Sequence, residues 1–130
     1  MEHHKILLVE DNLLMRWWMM SSLEHEGFWV AAPSTVDEAL RVARTLPFDV
    51  LITDWRLPEG YNGIQVLSEI RSHTPQIVSV LISAEADSEL SERCVRAGFD
   101  KVIEKPFPVL EILQAVRHLS EKRREESVAV

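Results

Sequence analysis

Five short apolar runs rich in β-branched residues stand out along the chain. Such runs indicate β-strands, and a run that is apolar throughout is typical of a strand buried on both faces of a parallel sheet. The first, third and fourth runs are largely apolar in this way. The predicted strands are residues 6–9, 28–31, 50–52, 78–82 and 102–103.

Between and after these strands, apolar residues recur every three or four positions. This spacing indicates helices that pack one face against a sheet. Gly27 and Gly98 mark the ends of two of them, because glycine readily takes the left-handed conformation that follows a last helical turn. The predicted helices are residues 12–26, 35–45, a short segment after Gly63 that stops before Pro75, residues 87–97 and residues 108–122.

Strands and helices therefore alternate, and this order predicts an open parallel sheet with helices on both faces. The chain has 130 residues, of which 46% are hydrophobic and 27% charged, and this suits one globular domain rather than a disordered segment. We place the domain at residues 1–122 and expect residues 123–130 to form a charged, frayed C-terminal tail.

Composition and charge exclude several classes of protein. No apolar run approaches the roughly 20 residues of a membrane span, and the first residues do not resemble a signal peptide. We therefore expect a cytoplasmic protein that does not bind membranes. A net charge of −7 argues against direct binding of nucleic acid, and the single cysteine, Cys94, excludes internal disulfides and zinc sites with several cysteines.

Charged and hydroxyl side chains follow four of the predicted strands at their carboxyl ends. Glu10 and Asp11 follow the first strand, and Asp54 follows the third. Ser83 follows the fourth strand and Lys105 the fifth. Open α/β sheets bind ligands outside this edge. Three carboxylates packed together would repel one another, and Mg²⁺, which prefers oxygen ligands, would remove that repulsion in a site suited to phosphoryl transfer.

Four motifs lie at these strand ends: Val9-Glu10-Asp11-Asn12, Asp54-Trp55-Arg56-Leu57-Pro58 with Gly63, Ser83-Ala84, and Lys105-Pro106-Phe107. With them the chain resembles the receiver domain of two-component response regulators, from residue 5 to about residue 119. The resemblance implies a single-domain, doubly wound, five-stranded parallel sheet with five helices and the flavodoxin-like order 2-1-3-4-5. It also implies a signalling function: the chain would accept a phosphoryl group from a sensor histidine kinase or a histidine phosphotransfer protein and switch conformation for a downstream partner.

The resemblance implies a role for each matching residue. Asp54 would attack the phosphorus of a phosphohistidine and become an aspartyl phosphate. Asp11, Asp54 and the backbone carbonyl of Arg56 would bind Mg²⁺, and Glu10 would act mainly through metal-bound water.

Lys105 and Ser83 would act on the phosphoryl group. Lys105 would pair first with Asp54 and then with a phosphoryl oxygen, and the Lys105–Pro106 peptide bond would be cis. Ser83 would donate its hydroxyl to another phosphoryl oxygen, a movement that is the family's switch. The chain would catalyse its own phosphorylation and dephosphorylation, and it would not be an enzyme with an external substrate.

Two features depart from the commonest receiver pattern. The segment 55–62 is one residue longer than usual. Val102 stands three residues before Lys105, where receivers usually carry Tyr or Phe, so the inward swing of an aromatic ring is not available there. At the mouth of the site, Arg56 and Glu85 would form either a weak exposed ion pair or a control on the access of water to the phosphoryl group.

The first helix carries two apolar stripes, although a helix packed on one sheet needs only one. We place Leu13, Trp17 and Met20 on the outer stripe, as a docking patch for the kinase beside the acceptor. The alternatives for this stripe are cover by the fifth helix and a homodimer. The inner stripe comprises Leu14, Met15, Trp18, Met19, Ser22 and Leu23.

Other functions fit the residues less well. A haloacid-dehalogenase-type phosphatase needs an acid two residues after its nucleophile, where this chain has Arg56. Glu10 and Asp11 would repel the phosphate of FMN, and the full set of acids disfavours a receiver that acts without phosphorylation. The chain is a single-domain regulator, a phosphorelay intermediate, or a receiver excised from a hybrid kinase or larger regulator, and the sequence leaves these three open.

Overall fold

The computed structural model describes residues 4–128, with side chains as far as Glu126. Five strands and five helices alternate, as predicted. None of the described helices combines the length and hydropathy needed to cross a lipid bilayer. The strands are β1 (Lys5–Val9), β2 (Trp29–Ala31), β3 (Val50–Asp54), β4 (Val78–Ser83) and β5 (Lys101–Glu104). The helices are α1 (Leu13–His25), α2 (Val36–Thr45), α3 (Gly63–Arg71), α4 (Ser88–Arg96) and α5 (Val109–Val128), and a 3₁₀ turn (Pro58–Gly60) precedes α3.

The five strands form one parallel sheet in the order β2-β1-β3-β4-β5, and this confirms the predicted fold class. The register brings the strand ends to one edge, because Asp54 lies opposite Ile82 and Ser83 lies opposite Glu104. The residues that follow β1 and β5 reach the same edge, since all the strands run in the same direction. The topology therefore gathers the four predicted motifs in one place.

Each face of the sheet has its own hydrophobic core. Successive side chains of a strand point to opposite faces, so β1 sends Ile6 and Leu8 to one core and Leu7 and Val9 to the other. Helices α1 and α5 cover the first core, and helices α2, α3 and α4 cover the second. Burial on both faces explains why the central strands are apolar throughout.

The rotation of α1 about its axis differs in part from the prediction. Leu13 and Trp17 are exposed, as predicted. Leu14, predicted to face inward, is 78% exposed, and Met20, predicted to face outward, is half-buried against the first core. Apolar residues occur on all sides of this helix, so their spacing alone does not fix which face meets the sheet. The exposed apolar group therefore consists of Leu13, Leu14 and Trp17, which we call the α1 patch.

Helix α5 is longer than predicted. It continues to Val128, six residues beyond the predicted end at residue 122, while residues 129 and 130 lie outside the described part of the chain. The frayed tail stays a prediction. Arg123 anchors this extension, because its Nη2 lies 3.1 Å from Oδ1 of Asp100. The same guanidinium donates to the backbone carbonyl of Gln76. The contact joins residues far apart in sequence, and local composition does not reveal it.

We expect Arg123→Ala to lower the free energy of unfolding by about 1–2 kcal/mol, since hydrogen bonds to charged groups are worth about 1.5–3 kcal/mol and this one is partly exposed. Urea unfolding followed by circular dichroism measures the change. Lys122→Ala, one residue earlier on an exposed position, is the matched control and should change the value by less than about 0.5 kcal/mol. Equal effects of the two substitutions would show that Arg123 does not anchor the helix.

Candidate functional site

The ammonium group of Lys105 lies between two carboxylates at the carboxyl edge of the sheet. Its Nζ is 2.7 Å from Oε1 of Glu10 and 2.8 Å from Oδ2 of Asp54. Glu10 is 2% exposed and Asp54 is 9% exposed, so two negative charges are held away from bulk water. Buried carboxylates require a partner of opposite charge. Lys105, which follows the edge strand β5, supplies this positive charge for both carboxylates.

The remaining carboxylate oxygens accept hydrogen bonds from the backbone. Oδ1 of Asp54 accepts from the N–H of Trp55 at 2.8 Å. Oε2 of Glu10 accepts from the N–H of Asn12 at 3.2 Å. Asn12 is also the N-cap of α1, and its side chain accepts from the N–H of Met15. The start of α1 and the end of β3 therefore fix the orientation of both carboxylates.

Burial dominates the ionisation of Asp54. Removal from water raises the pKa of Asp54 from an ordinary value of 3.8 to about 6, even though the hydrogen bond from Lys105 acts in the opposite direction. The neighbouring charge of Glu10 adds to the rise. Burial by itself would lower the pKa of Lys105, but its bonds to Asp54 and Glu10 outweigh burial and the net pKa is raised. Asp54 is therefore ionised at neutral pH and more basic than an ordinary aspartate.

The third acid, Asp11, is exposed beside the buried pair. Carboxylate oxygens of Glu10, Asp11 and Asp54 lie within 4.8 Å of one another, and within residues 4–128 they form the one group of acidic, histidine or cysteine side chains that could share a metal ion. Three carboxylates against one ammonium leave a net negative charge. Hard oxygen donors with excess negative charge fit Mg²⁺, which binds through one or two carboxylates and keeps several waters.

Ser83 ends β4 and Arg56 follows β3, at the same edge of the sheet as Asp54. Ser83 is buried, and its Oγ accepts a hydrogen bond from the N–H of Glu85 at 2.9 Å. The Glu85 carboxylate pairs with the Arg56 guanidinium, with Nη2 2.9 Å from Oε2. The pair links the loop after β3 to the loop after β4. Both side chains are exposed, so screening by water leaves the pair only a weak contribution to stability.

Gly63 allows the chain to pass directly behind the end of β3. A Cβ at this position would lie 2.9 Å from the backbone oxygen of Asp54 and 2.5 Å from Cδ1 of Leu81. Its N–H donates to the carbonyl of Trp55 at 2.9 Å. Only glycine fits this close approach between two backbones. The Lys105–Pro106 peptide bond is cis, as expected from the resemblance.

The structure brings together every residue predicted for the site, but sequence reasoning missed several of their partners. The N–H donors of Trp55 and Glu85 carry no signal in the sequence, because every residue except proline has the same group. The guanidinium of Arg93, on α4, lies 5.2 Å from the ring centre of Trp55, and no motif indicates this contact. The role predicted for Glu10 included no direct contact with Lys105. The only signal for that contact in the sequence was the pair of adjacent acids, Glu10 and Asp11, after the first strand.

A family model and several curated proteins match most of this chain. A family model described as the response regulator receiver domain matches residues 6–117. A cyclic di-GMP phosphodiesterase of Thermotoga maritima is 32% identical over 117 residues, which are 87% of this chain and 31% of that protein. The chain spans about a quarter to a third of the length of the curated relatives it matches.

Solved structures show the same fold. A response regulator receiver protein of Sinorhizobium medicae is 30% identical with a TM-score of 0.82, and the match covers 94% of this chain and 98% of that one. The beryllofluoride-activated NtrC4 receiver domain, solved as a dimer, is 25% identical with a TM-score of 0.85 over 92% of this chain and 98% of that one.

The raised pKa of Asp54 predicts how stability depends on pH in the absence of metal. A carboxyl group whose pKa is higher in the folded state stabilises the fold at low pH, and this contribution is lost as the pH rises through the folded value. Between about pH 4 and pH 7.5, the wild type should therefore lose about 2–3 kcal/mol of unfolding free energy relative to Asp54→Asn. Urea unfolding in chelator at several pH values measures the difference. Glu92→Gln on the surface of α4 is the control and should show no such trend, and a pH-independent effect of Asp54→Asn would contradict the account.

Proposed function

The chain belongs to the response regulator receiver domain family, and on this premise we propose that it accepts a phosphoryl group on Asp54 from a phosphohistidine. The observation that supports the proposal most strongly is the contact of Lys105 with both Glu10 and Asp54. This contact holds the ionised carboxylate of Asp54 at the rim of the sheet. The third acid, Asp11, is exposed beside it. This arrangement is that of a nucleophile next to a cation site.

In the proposed reaction, a carboxylate oxygen of Asp54 attacks the phosphorus of the phosphohistidine. An oxygen–phosphorus bond forms while the nitrogen–phosphorus bond breaks, and the electron pair of the broken bond returns to the imidazole nitrogen of the donor. The product is an aspartyl phosphate. In the metal-free site the pKa of Asp54 is about 6, so the residue is ionised at neutral pH, and the ionised carboxylate is the form that attacks phosphorus.

Asp11, Asp54 and the backbone carbonyl of Arg56 would hold Mg²⁺, with Glu10 acting through bound water. When bound, the ion neutralises the charge that develops on the phosphoryl oxygens. Lys105 is already 2.8 Å from Asp54 and supplies a second positive charge there. After transfer it moves its hydrogen bond from Asp54 to a phosphoryl oxygen.

Ser83 is the proposed sensor of the phosphoryl group. Its hydroxyl would turn to donate to a phosphoryl oxygen, so the loop after β4, which bonds to Ser83 through the N–H of Glu85, would follow. Val102 is half-buried against the second core and has no ring to swing inward. The switch in this chain therefore operates without an aromatic residue on β5.

The donor would be a sensor histidine kinase or a histidine phosphotransfer protein that docks on α1. The α1 patch exposes Leu13, Leu14 and Trp17, with Trp17 64% exposed. A cavity of about 470 Å³, lined in part by Leu14, Met15 and Trp18, leads from the patch to Lys105. Exposed apolar area that is continuous with the reaction site is expected where a protein donor must approach the acceptor.

We propose that this exchange takes place in the cytoplasm and that the phosphorylated domain acts on a protein rather than on nucleic acid directly. A homodimer is a further proposed assembly, supported by the dimer seen for the NtrC4 receiver. The relatives it matches are three to four times longer than this chain. The activity that phosphorylation controls is therefore that of the protein on which this domain acts.

The direct test uses a small-molecule phosphodonor such as acetyl phosphate with the wild type and Asp54→Asn. Labelling should require Mg²⁺ and should disappear in Asp54→Asn, because the amide oxygen is too weak a nucleophile. Asp49→Asn, which makes the same change at the opposite end of β3, is the matched control and should label normally. Labelling of Asp54→Asn, or labelling of the wild type in excess chelator, would refute the proposal.

The docking role of the α1 patch predicts a selective kinetic defect. Trp17→Ala should slow phosphotransfer at least about tenfold from a kinase chosen from a panel for its activity on the wild type, because a buried aromatic contact at an interface is worth about 2 kcal/mol or more. Acetyl phosphate should label this variant at the wild-type rate. Trp29→Ala, which removes an exposed tryptophan from β2, is the control. Equal slowing with both donors, or no slowing with either, would remove the patch from the mechanism.

A further inference from the structure

The segment 55–62, between the acceptor strand and α3, folds into a small hairpin. The N–H of Leu57 donates to the carbonyl of Tyr61 at 3.1 Å, and Arg56 pairs with Asn62 as an antiparallel bridge. The tip turns through two residues with positive φ, Glu59 at 61° and Gly60 at 81°. The backbone of Arg56 therefore belongs to one arm of the hairpin, and Tyr61 belongs to the other.

Trp55 anchors the base of this hairpin in the second core, but few contacts hold the part beyond it against the body of the protein. The tip, Pro58–Gly60, is exposed, and beyond Trp55 only Leu57 and Tyr61 pack against the second core. The ion pair of Arg56 with Glu85 is exposed on both sides and is weak. A hairpin with an exposed tip and so little buried area has low local stability.

A capping box between Asn62 and Gln65 joins the end of the hairpin to α3, and one side-chain hydrogen bond ties its outer part to α2. The hydroxyl of Tyr61 donates to Oδ1 of Asp37 at 2.8 Å. Asp37 is the second residue of α2, and this helix is held in place by the buried side chains of Val36, Ala39 and Ala43. The tether therefore connects the arm opposite Arg56 to a rigid element.

We propose that Tyr61, held by Asp37, is a positioning residue for the metal. The inference rests on the proposed function, in which the Arg56 carbonyl is a Mg²⁺ ligand. The tether keeps the hairpin in the single conformation that leaves this carbonyl available near Asp54. Without the tether, the hairpin occupies other conformations as well. The apparent dissociation constant for Mg²⁺ then rises in proportion to the lost fraction of competent molecules.

The role predicted for Tyr61 is that of a hydrogen-bond donor, not of a bulky or charged group. Tyr61→Phe removes the hydroxyl and keeps the ring on the second core. Asp37→Ala removes the acceptor, whereas Asp37→Asn keeps an acceptor oxygen and loses the charge. Glu38 lies in the same first turn of α2 and carries the same charge, so Glu38→Ala measures how far a negative charge on this helix attracts the cation.

The test is a Mg²⁺ titration of the full chain followed by tryptophan fluorescence, with Trp55 as the reporter next to Asp54. The loss of one hydrogen bond should weaken Mg²⁺ binding about three- to tenfold in Tyr61→Phe and in Asp37→Ala. The double variant should bind no more weakly than either single variant. Asp37→Asn and Glu38→Ala should bind within about twofold of the wild type. Urea midpoints in chelator should fall equally in Tyr61→Phe and Asp37→Ala, by no more than the loss of one exposed hydrogen bond explains.

Unchanged Mg²⁺ binding by Tyr61→Phe would overturn the inference and leave the proposed function intact. Equal weakening by Glu38→Ala would also overturn it, because the effect would then come from charge alone. A fall in the urea midpoint larger than the loss of one hydrogen bond explains would assign Tyr61 to the fold rather than to the metal. Should the wild type bind no Mg²⁺ and accept no label from acetyl phosphate, the proposed function fails and the inference fails with it.

Discussion

The site depends on one half-buried ammonium group placed between two buried carboxylates. Lys105 holds Glu10 and Asp54 at 2.7 and 2.8 Å, and without it two like charges would face each other out of contact with water. The three residues come from three different strands, so they meet only if β1, β3 and β5 end at the same edge in the correct order. The parallel sheet satisfies this condition because β1 and β3 are neighbours and β4 alone separates β3 from β5. The two hydrophobic cores keep the sheet rigid enough to maintain these distances.

The same interaction leaves the site ready for chemistry. One lysine balances only part of the charge of Glu10, Asp11 and Asp54, and the excess of negative oxygen donors favours a divalent cation. Burial raises the pKa of Asp54 without taking it above neutral pH, so the residue is both ionised and basic. An acid at the position of Arg56, which a phosphatase of the haloacid-dehalogenase type requires, is absent from the sequence. The site therefore supports the proposed role as a phosphoryl acceptor better than that of a phosphatase of this type.

The sequence was sufficient for the strands, their alternation with helices and the identity of the charged residues at the strand ends. These features are local, because a buried parallel strand must be apolar and a reactive residue must follow it directly. It was not sufficient where the structure depends on contacts between distant residues. The predicted rotation of α1 was wrong at Leu14 and Met20, because apolar residues occur on all sides of this helix. The predicted end of α5 was too early, because the last turns depend on the contact of Arg123 with Asp100. The hydrogen bond from Tyr61 to Asp37 is another contact between distant residues that the sequence pattern does not indicate.

The central claim is that Asp54, one of the two carboxylates held by Lys105, is the residue that becomes phosphorylated. Phosphorylated wild-type protein treated with borohydride, which reduces an aspartyl phosphate to homoserine, can be digested and analysed by mass spectrometry to locate the reduced residue. We predict homoserine at position 54 alone, formed only in protein that was exposed to both the phosphodonor and Mg²⁺. Homoserine at position 11, a reduced residue elsewhere in the chain, or no reduced residue in protein that carries label would contradict the claim.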